Sequence, residues 1–457
     1  MKNTRAKLID GPIGTLLIKL TAPMIVGMLG MVAFNLVDTF FVGRLGATQL
    51  AALSFTFPVI LFINSIALGV GMGASAIISR AIGEGDTYKV RRITTDGLTL
   101  AVVLVFIFVI IGLSTVGPLF KLLGATPQVL PYIKQYMSIW YYGMFFVLIP
   151  MVGNNAIRAT GDTKTPSAIM IVAVIMNFIM DPMLIFGLGP FPALGIRGAA
   201  ISTVIARFSS SVAATWVLVH RDRMVTFERT PFREIFASWK SILFIGIPIA
   251  GARMILPVSV GVMTRIISVY GPKAVAGFGV ASRIEFFALA VIRALSSVFG
   301  PFIGQNLGAK LFDRVIRGFR LAELFSLVWG FGIFIILFIF ARPIAGIFNK
   351  DPLVVETIIK YLSIVPLGYG LQGVLLLCNV SLNVLQKPFH AAGLVTVQMF
   401  VLYIPLAYFG SQILQIQGAF IGITIAYCIS GIIAHFFTVD HIKKAEEKIM
   451  ADSISHD

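Results

Sequence analysis

From Leu16 to Val42 the chain is apolar almost throughout and holds a single carboxylate, Asp38, with no charge between Thr21 and Val37. A run of this length crosses a hydrocarbon core, which about 20 helical residues span. An ionised Asp inside such a run costs about 2.5–3.5 kcal/mol on insertion scales. Asp38 is therefore the first candidate functional residue, and the rest of the chain must supply its partner and its use.

Similar runs recur with short polar gaps near 15–40, 50–78, 95–117, 131–157, 165–187, 194–219, 239–265, 275–299, 319–341, 357–385, 388–412 and 414–438. With 58% apolar and 12% charged side chains, this is the pattern of a polytopic helical membrane protein. Backbone groups in lipid must be paired internally, which excludes open strands, and the alternation of a membrane barrel is absent. The +16 net charge falls mainly in alternate gaps, as in Lys2, Arg5 and Lys7, then Arg80, Lys89, Arg91 and Arg92, then Arg221, Arg223, Arg229 and Arg233, and finally Lys443, Lys444 and Lys448. By the positive-inside rule these gaps and both termini face the cytoplasm, which accounts for the charge with no nucleic-acid partner. The first apolar run is long enough to span, so no cleaved leader is expected. Cys378 and Cys428 sit in apolar runs with no metal or disulfide spacing, and no P-loop, HExxH or nucleophile elbow occurs. An enzyme is not expected, nor a cofactor. Gly69, Gly71 and Gly73 form GxGxG inside a membrane helix, which favours close helix packing over nucleotide binding.

The chain also repeats itself. Setting Pro23 against Pro248 brings Gly46 opposite Gly271 and Gly83 opposite Gly308; further on, Gly198-Ala199-Ala200 resembles Gly418-Ala419-Phe420, and Pro166 resembles Pro388. Two parallel six-span repeats make a transporter architecture. The expected organisation is an N-lobe over 1–220, a cytoplasmic linker over 221–240, a C-lobe over 241–440 and a cytoplasmic tail over 441–457.

In this register Asp38 faces Met263, and Asp181 has no acidic counterpart near Tyr403. The fold's symmetry does not require either acid. They serve as an ion-coupling pair, or as structural ion-pair partners of a base such as Arg207. Asn177 and Asp181 share one helix face. Two neighbouring carboxylates resist joint ionisation, which suits proton exchange; Asn177 either helps to coordinate a small cation or joins helices. Pro23 should kink the first helix, although prolines are also tolerated in membrane spans. In the second half Arg253, Arg265, Arg283, Glu285 and Arg293 suggest an ion-pair network beside water, with a cationic-substrate role for Glu285 as the alternative. Frequent Met and Phe suit adaptable walls for varied ligands.

These residues resemble the multidrug and toxic compound extrusion (MATE) family over nearly the whole chain. The resemblance rests on Pro23, Asn35-Leu-Val-Asp38 with Val42-Gly43-Arg44-Leu45-Gly46, Ile157-Arg158-Ala-Thr-Gly161-Asp162-Thr-Lys164-Thr-Pro166, Asn177-x-x-x-Asp181-Pro182 and Gly198-Ala-Ala-x-x-Thr203. The pattern looks like the prokaryotic DinF-type branch. It implies an all-α membrane protein with 12 transmembrane helices in a V-shaped pair of six-helix lobes. It also implies export of cationic, lipophilic compounds in exchange for H⁺ or Na⁺, by a multi-pass protein of the prokaryotic inner membrane expected to act as a monomer. Carried over by motif, Asp38, Asn177, Asp181 and Thr203 form the N-lobe cation site, open to H⁺ or Na⁺, and Pro23 is the bending proline. Phe34, Asn35, Arg283 and Glu285 are the cavity candidates. One departure stands out: related members have Tyr where this chain has Phe34, so a hydroxyl is lost and the hydrogen bonding must be rearranged or completed by water. The competing readings are a lipid-linked precursor flippase of the same superfamily and an intramembrane aspartyl protease built on Asp38 and Asp181.

Overall fold

In hydrocarbon an apolar segment satisfies its own backbone by coiling into a helix. The computed structural model describes residues 6–454, with side chains over 6–447, and contains no strand among them. Lys2, Arg5 and the side chain of Lys448, counted above among the basic flanks, lie outside the described residues. The first half consists of α1 (Ile13–Gly43), α2 (Ala47–Glu84), α3 (Thr87–Leu122), α4 (Leu130–Gly143), α5 (Phe145–Ala159), α6 (Lys164–Phe186) and α7 (Ile196–Trp216). The second consists of α8 (Phe232–Ser268), α9 (Pro272–Ala288), α10 (Ala290–Gly308), α11 (Phe312–Phe348), α12 (Pro352–Ile364), α13 (Tyr369–Val384), α14 (Pro388–Thr396) and α15 (Ile404–Ile454).

Among the described residues nine helices are long and apolar enough to cross a membrane, and eleven when α4 with α5 (bent by 47°) and α9 with α10 (bent by 42°) each count as one span. The last segment, Pro388–Glu447, has 60 residues. Straight, it would reach about 90 Å, three times the hydrocarbon thickness. Non-helical dihedrals at Leu414 and Gln415 break it in two, which makes twelve spans. At this turn the Gly410 and Gly418 backbones touch, and Gly422 abuts the Leu406 carbonyl, so a Cβ at any of the three would overlap main-chain atoms.

The backbone repeats more faithfully than the sequence does. Gly46 and Gly271 both have φ near or above +100° (132° and 97°). Lys310 and Gln386, at φ 59°, stand where the first half has Gly85 and Gly161. Gln415 (φ 54°, ψ −142°) matches Gly195 (φ 56°, ψ −131°). That last conformation is nearly glycine-only and costs an L-residue about 1–3 kcal/mol. Gln415→Gly is accordingly expected to stabilise the protein by about 1 kcal/mol after the glycine's extra unfolded-state entropy is subtracted. A thermal melt in detergent checks this, and an unchanged or lower midpoint contradicts it.

Two compact units emerge: Ala22–Ile247 in one, and Leu8–Thr21 with the chain from Pro248 onward in the other. The division passes through α1 just before Pro23 and through α8 just before Pro248. The kink expected at Pro23 does not interrupt α1, which is helical across the proline. Sharp bends of 47° and 42° lie between α4 and α5 and between α9 and α10.

In the first unit the glycines of α2 form a packing seam. A Cβ at Gly71 would strike Asn155 and Met151 of α5, and one at Gly73 would strike the Ile242 carbonyl of α8. Residues 232–240, expected within the polar linker, are the first turns of α8, tied down by Trp239 Nε1 donating to the Asp96 carbonyl (2.9 Å). The remaining linker is fastened to the same unit. Thr226 N–H donates to Thr95 Oγ1 (3.0 Å), and Arg221 donates to Asp162 Oδ2 and to Thr165 Oγ1 (both 2.7 Å). Burial opposes ionisation of Asp162, but hydrogen bonds from Thr165 and Arg221 outweigh it and hold its carboxyl below the usual range. A depressed carboxyl adds stability above its unfolded value, about 3.9, and loses it as pH falls through the folded one. Asp162→Asn should therefore lower the melting midpoint at pH 7 and lower it less near pH 3; an equal deficit at both pH values would contradict this.

In the second unit Leu8, 1% exposed, donates its N–H to Gln305 Oε1 (3.0 Å) and accepts at its carbonyl from Asn306 Nδ2 (3.1 Å). Met263, the position that repeats Asp38, is fully buried in an apolar cluster with Ile267, Phe278 and Leu337. There the twin of the acid is ordinary core.

Candidate functional site

Three helices of the first unit each contribute two residues one turn apart: Phe34 and Asp38 from α1, Asn177 and Asp181 from α6, and Thr203 and Arg207 from α7. The i, i+4 spacing places each pair on one face. Phe34 is 5% exposed and packs against Ala173 of α6 and Ala206 of α7, small residues that let the three helices close around the ring. One turn on, Asp38 is 9% exposed, and Asn177 and Asp181 are 0% exposed.

Asn177 organises the α6–α7 side. Its Nδ2 donates to Asp181 Oδ1 (3.2 Å) and to Ser202 Oγ (3.2 Å), and Ser202 Oγ donates back to the Asn177 carbonyl (3.4 Å). Asp38 is acted on by the charges of Asp181 and Arg207 and faces the Tyr136 hydroxyl of α4, which is also beside Thr203. The Arg207 guanidinium lies over the Phe34 ring, 4.5 Å from its centroid. No salt bridge joins Arg207 to either acid among the described residues, so the simple ion-pair reading of Asp38 is not what the geometry gives. Four buried oxygens here lack a hydrogen-bond donor: Asp38 Oδ1, Asp181 Oδ2, Asn177 Oδ1 and Thr203 Oγ1. Such a set accepts protons or hard cations and offers nothing to a soft metal.

The structure thus brings together Asp38, Asn177, Asp181 and Thr203, with Phe34 as packing beneath Arg207 and not as cavity wall. Asn35 is exposed and off this face; its carbonyl accepts from Thr39 Oγ1 (2.8 Å). The hydroxyl missing at Phe34 has a substitute in Tyr136, from another helix. Tyr136 belongs to a buried stripe with Ile133, Met137 and Trp140, and in sequence it reads as core. Ser202 was equally silent.

In the second unit the Glu285 carboxylate accepts from Tyr427 (2.8 Å) and from Tyr361, and among the described residues no salt bridge joins it to Arg293. These tyrosines come from α12 and α15; at the bend between α9 and α10 the Ala288 carbonyl accepts from Trp329 Nε1 (3.1 Å). Arg283 and Arg265 are exposed and take no part.

A doubled bundle of membrane helices is a transporter architecture, and in the first unit it buries two acids, Asp38 and Asp181, whose repeat positions carry none. The MatE family profile matches residues 23–183 and 248–409, its two segments beginning at the paired prolines. The chain belongs to the MATE family, whose members are transporters of small organic substrates in the membrane, not enzymes, and which work by ion-coupled transport without a cofactor. It is 37% identical to a protein of Shewanella oneidensis named as an FAD transporter, over 98% of this chain and 99% of that one. It is 25% identical to the probable multidrug resistance protein YoeA of Bacillus subtilis, over 87% of each chain. Among solved structures, the Vibrio cholerae MATE transporter VcmN in its bent form matches with a TM-score of 0.90 at 29% identity, covering 95% of this chain and 98% of that one. The family leaves no place for the aspartyl protease reading.

Proposed function

We propose that this protein is an inner-membrane antiporter, with both termini cytoplasmic, that exports an aromatic organic compound in exchange for a cation bound at Asp38 and Asp181. The observation that carries the reading is the buried pair of acids with Arg207 beside them. With Arg207 charged, the cluster is neutral when one acid is protonated and carries one negative charge when neither is. A buried site tolerates that single change far better than a larger one. The guanidinium beside Asp38 also favours H⁺ over Na⁺, since a proton neutralises a carboxylate while Na⁺ must sit against a like charge. The donor-free oxygens of Asn177 and Thr203 favour the Na⁺ alternative. Pro23, which removes one backbone hydrogen bond where α1 passes from one unit to the other, is the hinge by which ion binding reaches the rest of the molecule. Substrate and ion must bind the two states differently for any pumping to occur.

The resemblance implies cationic drugs as substrates. The end-to-end relative named as an FAD transporter, with higher identity than the multidrug relatives, supports an anionic flavin nucleotide instead. Proteoliposomes given a pH or a Na⁺ gradient separately, with FAD or ethidium inside, decide both questions. Efflux of FAD driven by the pH gradient alone is the expected result; efflux of neither compound under either gradient would overturn the proposal.

A further inference from the structure

We propose that the end of α3 and the start of α4 form a binding site for an anionic phospholipid, its phosphate diester held between Lys121 and Lys134. The site lies within the first unit, apart from the Asp38–Asp181 cluster, and does not depend on the exporter reading above.

α3 starts at the basic face that carries Lys89, Arg91 and Arg92 and runs on to Leu122. Its uncharged run, Gly97 to Phe120, covers about 36 Å at 1.5 Å per residue, slightly more than the hydrocarbon core. Lys121 is thus the first charge to emerge at the opposite headgroup level. The chain turns there at Gly124 (φ 91°) and returns as α4 from Leu130, which brings Lys134 back to the same end. The Lys134 side chain crosses Gly117 of α3: a Cβ at Gly117 would lie 3.6 Å from Lys134 Cε and 3.7 Å from its Nζ. Gly117 and Lys121 are one turn apart on one face of α3, where neighbouring Cβ positions are about 5–6 Å apart. The two ammonium groups therefore share one small area of surface.

No acid answers them. The chain has no Asp or Glu from Gly97 to Gly161. Both lysines are exposed, and no salt bridge or hydrogen bond takes up either among the described residues. At the corresponding end of the second repeat, by contrast, Lys273 pairs with Asp351 and Lys360 with Glu356 (both 2.7 Å). Lys121 and Lys134 flank a hollow of about 590 Å³ whose other walls are Ala125, Pro127, Leu130 and Pro131. An ammonium is a compact charge with three donors, suited to phosphate oxygens, and basic hollows at helix ends hold anionic lipid headgroups. Phe106 (61% exposed) and Ile110 (68% exposed) continue the Gly117–Lys121 face into the hydrocarbon, where they offer a track for acyl chains. A free phosphate ion would use the lysines alone. A lipid uses the lysines, the apolar walls and that track.

The test is native mass spectrometry of the purified full-length protein, titrated with phosphatidylglycerol or with phosphatidylcholine of the same chains. Wild type should prefer phosphatidylglycerol for the first lipid bound. Lys121→Gln combined with Lys134→Gln should lower the phosphatidylglycerol-to-phosphatidylcholine affinity ratio by about tenfold or more, the effect of two charges lost at the lipid surface. Lys121→Arg combined with Lys134→Arg should keep most of the preference. Arg317→Gln combined with Arg320→Gln, which removes two exposed cations from the basic start of α11, should leave the ratio unchanged. Glycerol 3-phosphate, which carries the phosphate without the chains, should not displace the lipid. A wild type without preference, or a ratio unchanged in the Lys→Gln pair, overturns the site. An equal fall in both Gln pairs also overturns it, because net charge alone then sets the preference. Displacement by glycerol 3-phosphate overturns the lipid as occupant and makes a free phosphate the ligand.

Discussion

Asp38→Asn is expected to reduce gradient-driven transport in proteoliposomes to the level of protein-free vesicles while leaving the protein folded. The substitution is nearly isosteric: an amide oxygen still faces the Tyr136 hydroxyl, and the side chain still fits among Asp181, Thr203 and Arg207. What disappears is the ability to gain and lose a proton or to bind a cation by charge. The driving gradient enters the protein only through that exchange, and a ligand that no longer distinguishes two states shifts nothing. Asp181→Asn separates the remaining alternatives. If Asp181 is part of the exchanging pair, this variant loses transport as well; if it only anchors Asn177, transport survives with a lower melting midpoint. An Asn variant at position 38 that transports as well as wild type under both a pH and a Na⁺ gradient would falsify the coupling role of Asp38.

The parts of this protein legible in its sequence are those that one element states by itself. Hydrophobic length located the spans, including the charge-free stretch that breaks at Leu414 and Gln415. The repeat was legible because its prolines and glycines meet backbone demands; where the second half puts Lys310, Gln386 and Gln415 in place of glycine, the conformation persists and only the signal is lost. Asp38, Asn177 and Asp181 stood out because polar groups in apolar helices are costly, whereas Thr203 came only with the family motif. Tyr136 did not stand out, since an aromatic on a buried stripe looks like packing until another helix brings a carboxylate to its hydroxyl. Glu285 shows the same limit: its sequence neighbours are arginines, whereas the fold also brings it to tyrosines more than seventy residues away along the chain. Linear spacing reports what one helix can present, and the partner is decided by how helices bend and cross.

The largest loss of stability is expected at a place the sequence presented as an ordinary basic flank. Arg92 and Asp96, one turn apart on α3, form a bidentate pair through Nε to Oδ2 (2.9 Å) and Nη2 to Oδ1 (2.6 Å), with side chains only 9% and 1% exposed. Arg92 also donates to Thr230 Oγ1 (2.5 Å), and the Asp96 carbonyl accepts from Trp239, so the pair anchors both the linker and the start of α8. Asp96→Ala strands a buried guanidinium with Thr230 as its remaining partner, and breaking such a pair from one side costs about 3–5 kcal/mol. Replacing both residues by apolar ones, as in Arg92→Met with Asp96→Leu, removes the stranded charge and should recover most of that loss. Thermal melts in detergent read the ordering: wild type and double variant close together, Asp96→Ala well below. Limited trypsin digestion reads the anchoring, because Arg223 and Arg229 in the released linker become cleavable in Asp96→Ala at temperatures where the helices remain folded. Equal midpoints for wild type and Asp96→Ala would mean that water reaches Arg92 and that the linker is held by its other contacts, Arg221 on Asp162 and Thr226 on Thr95.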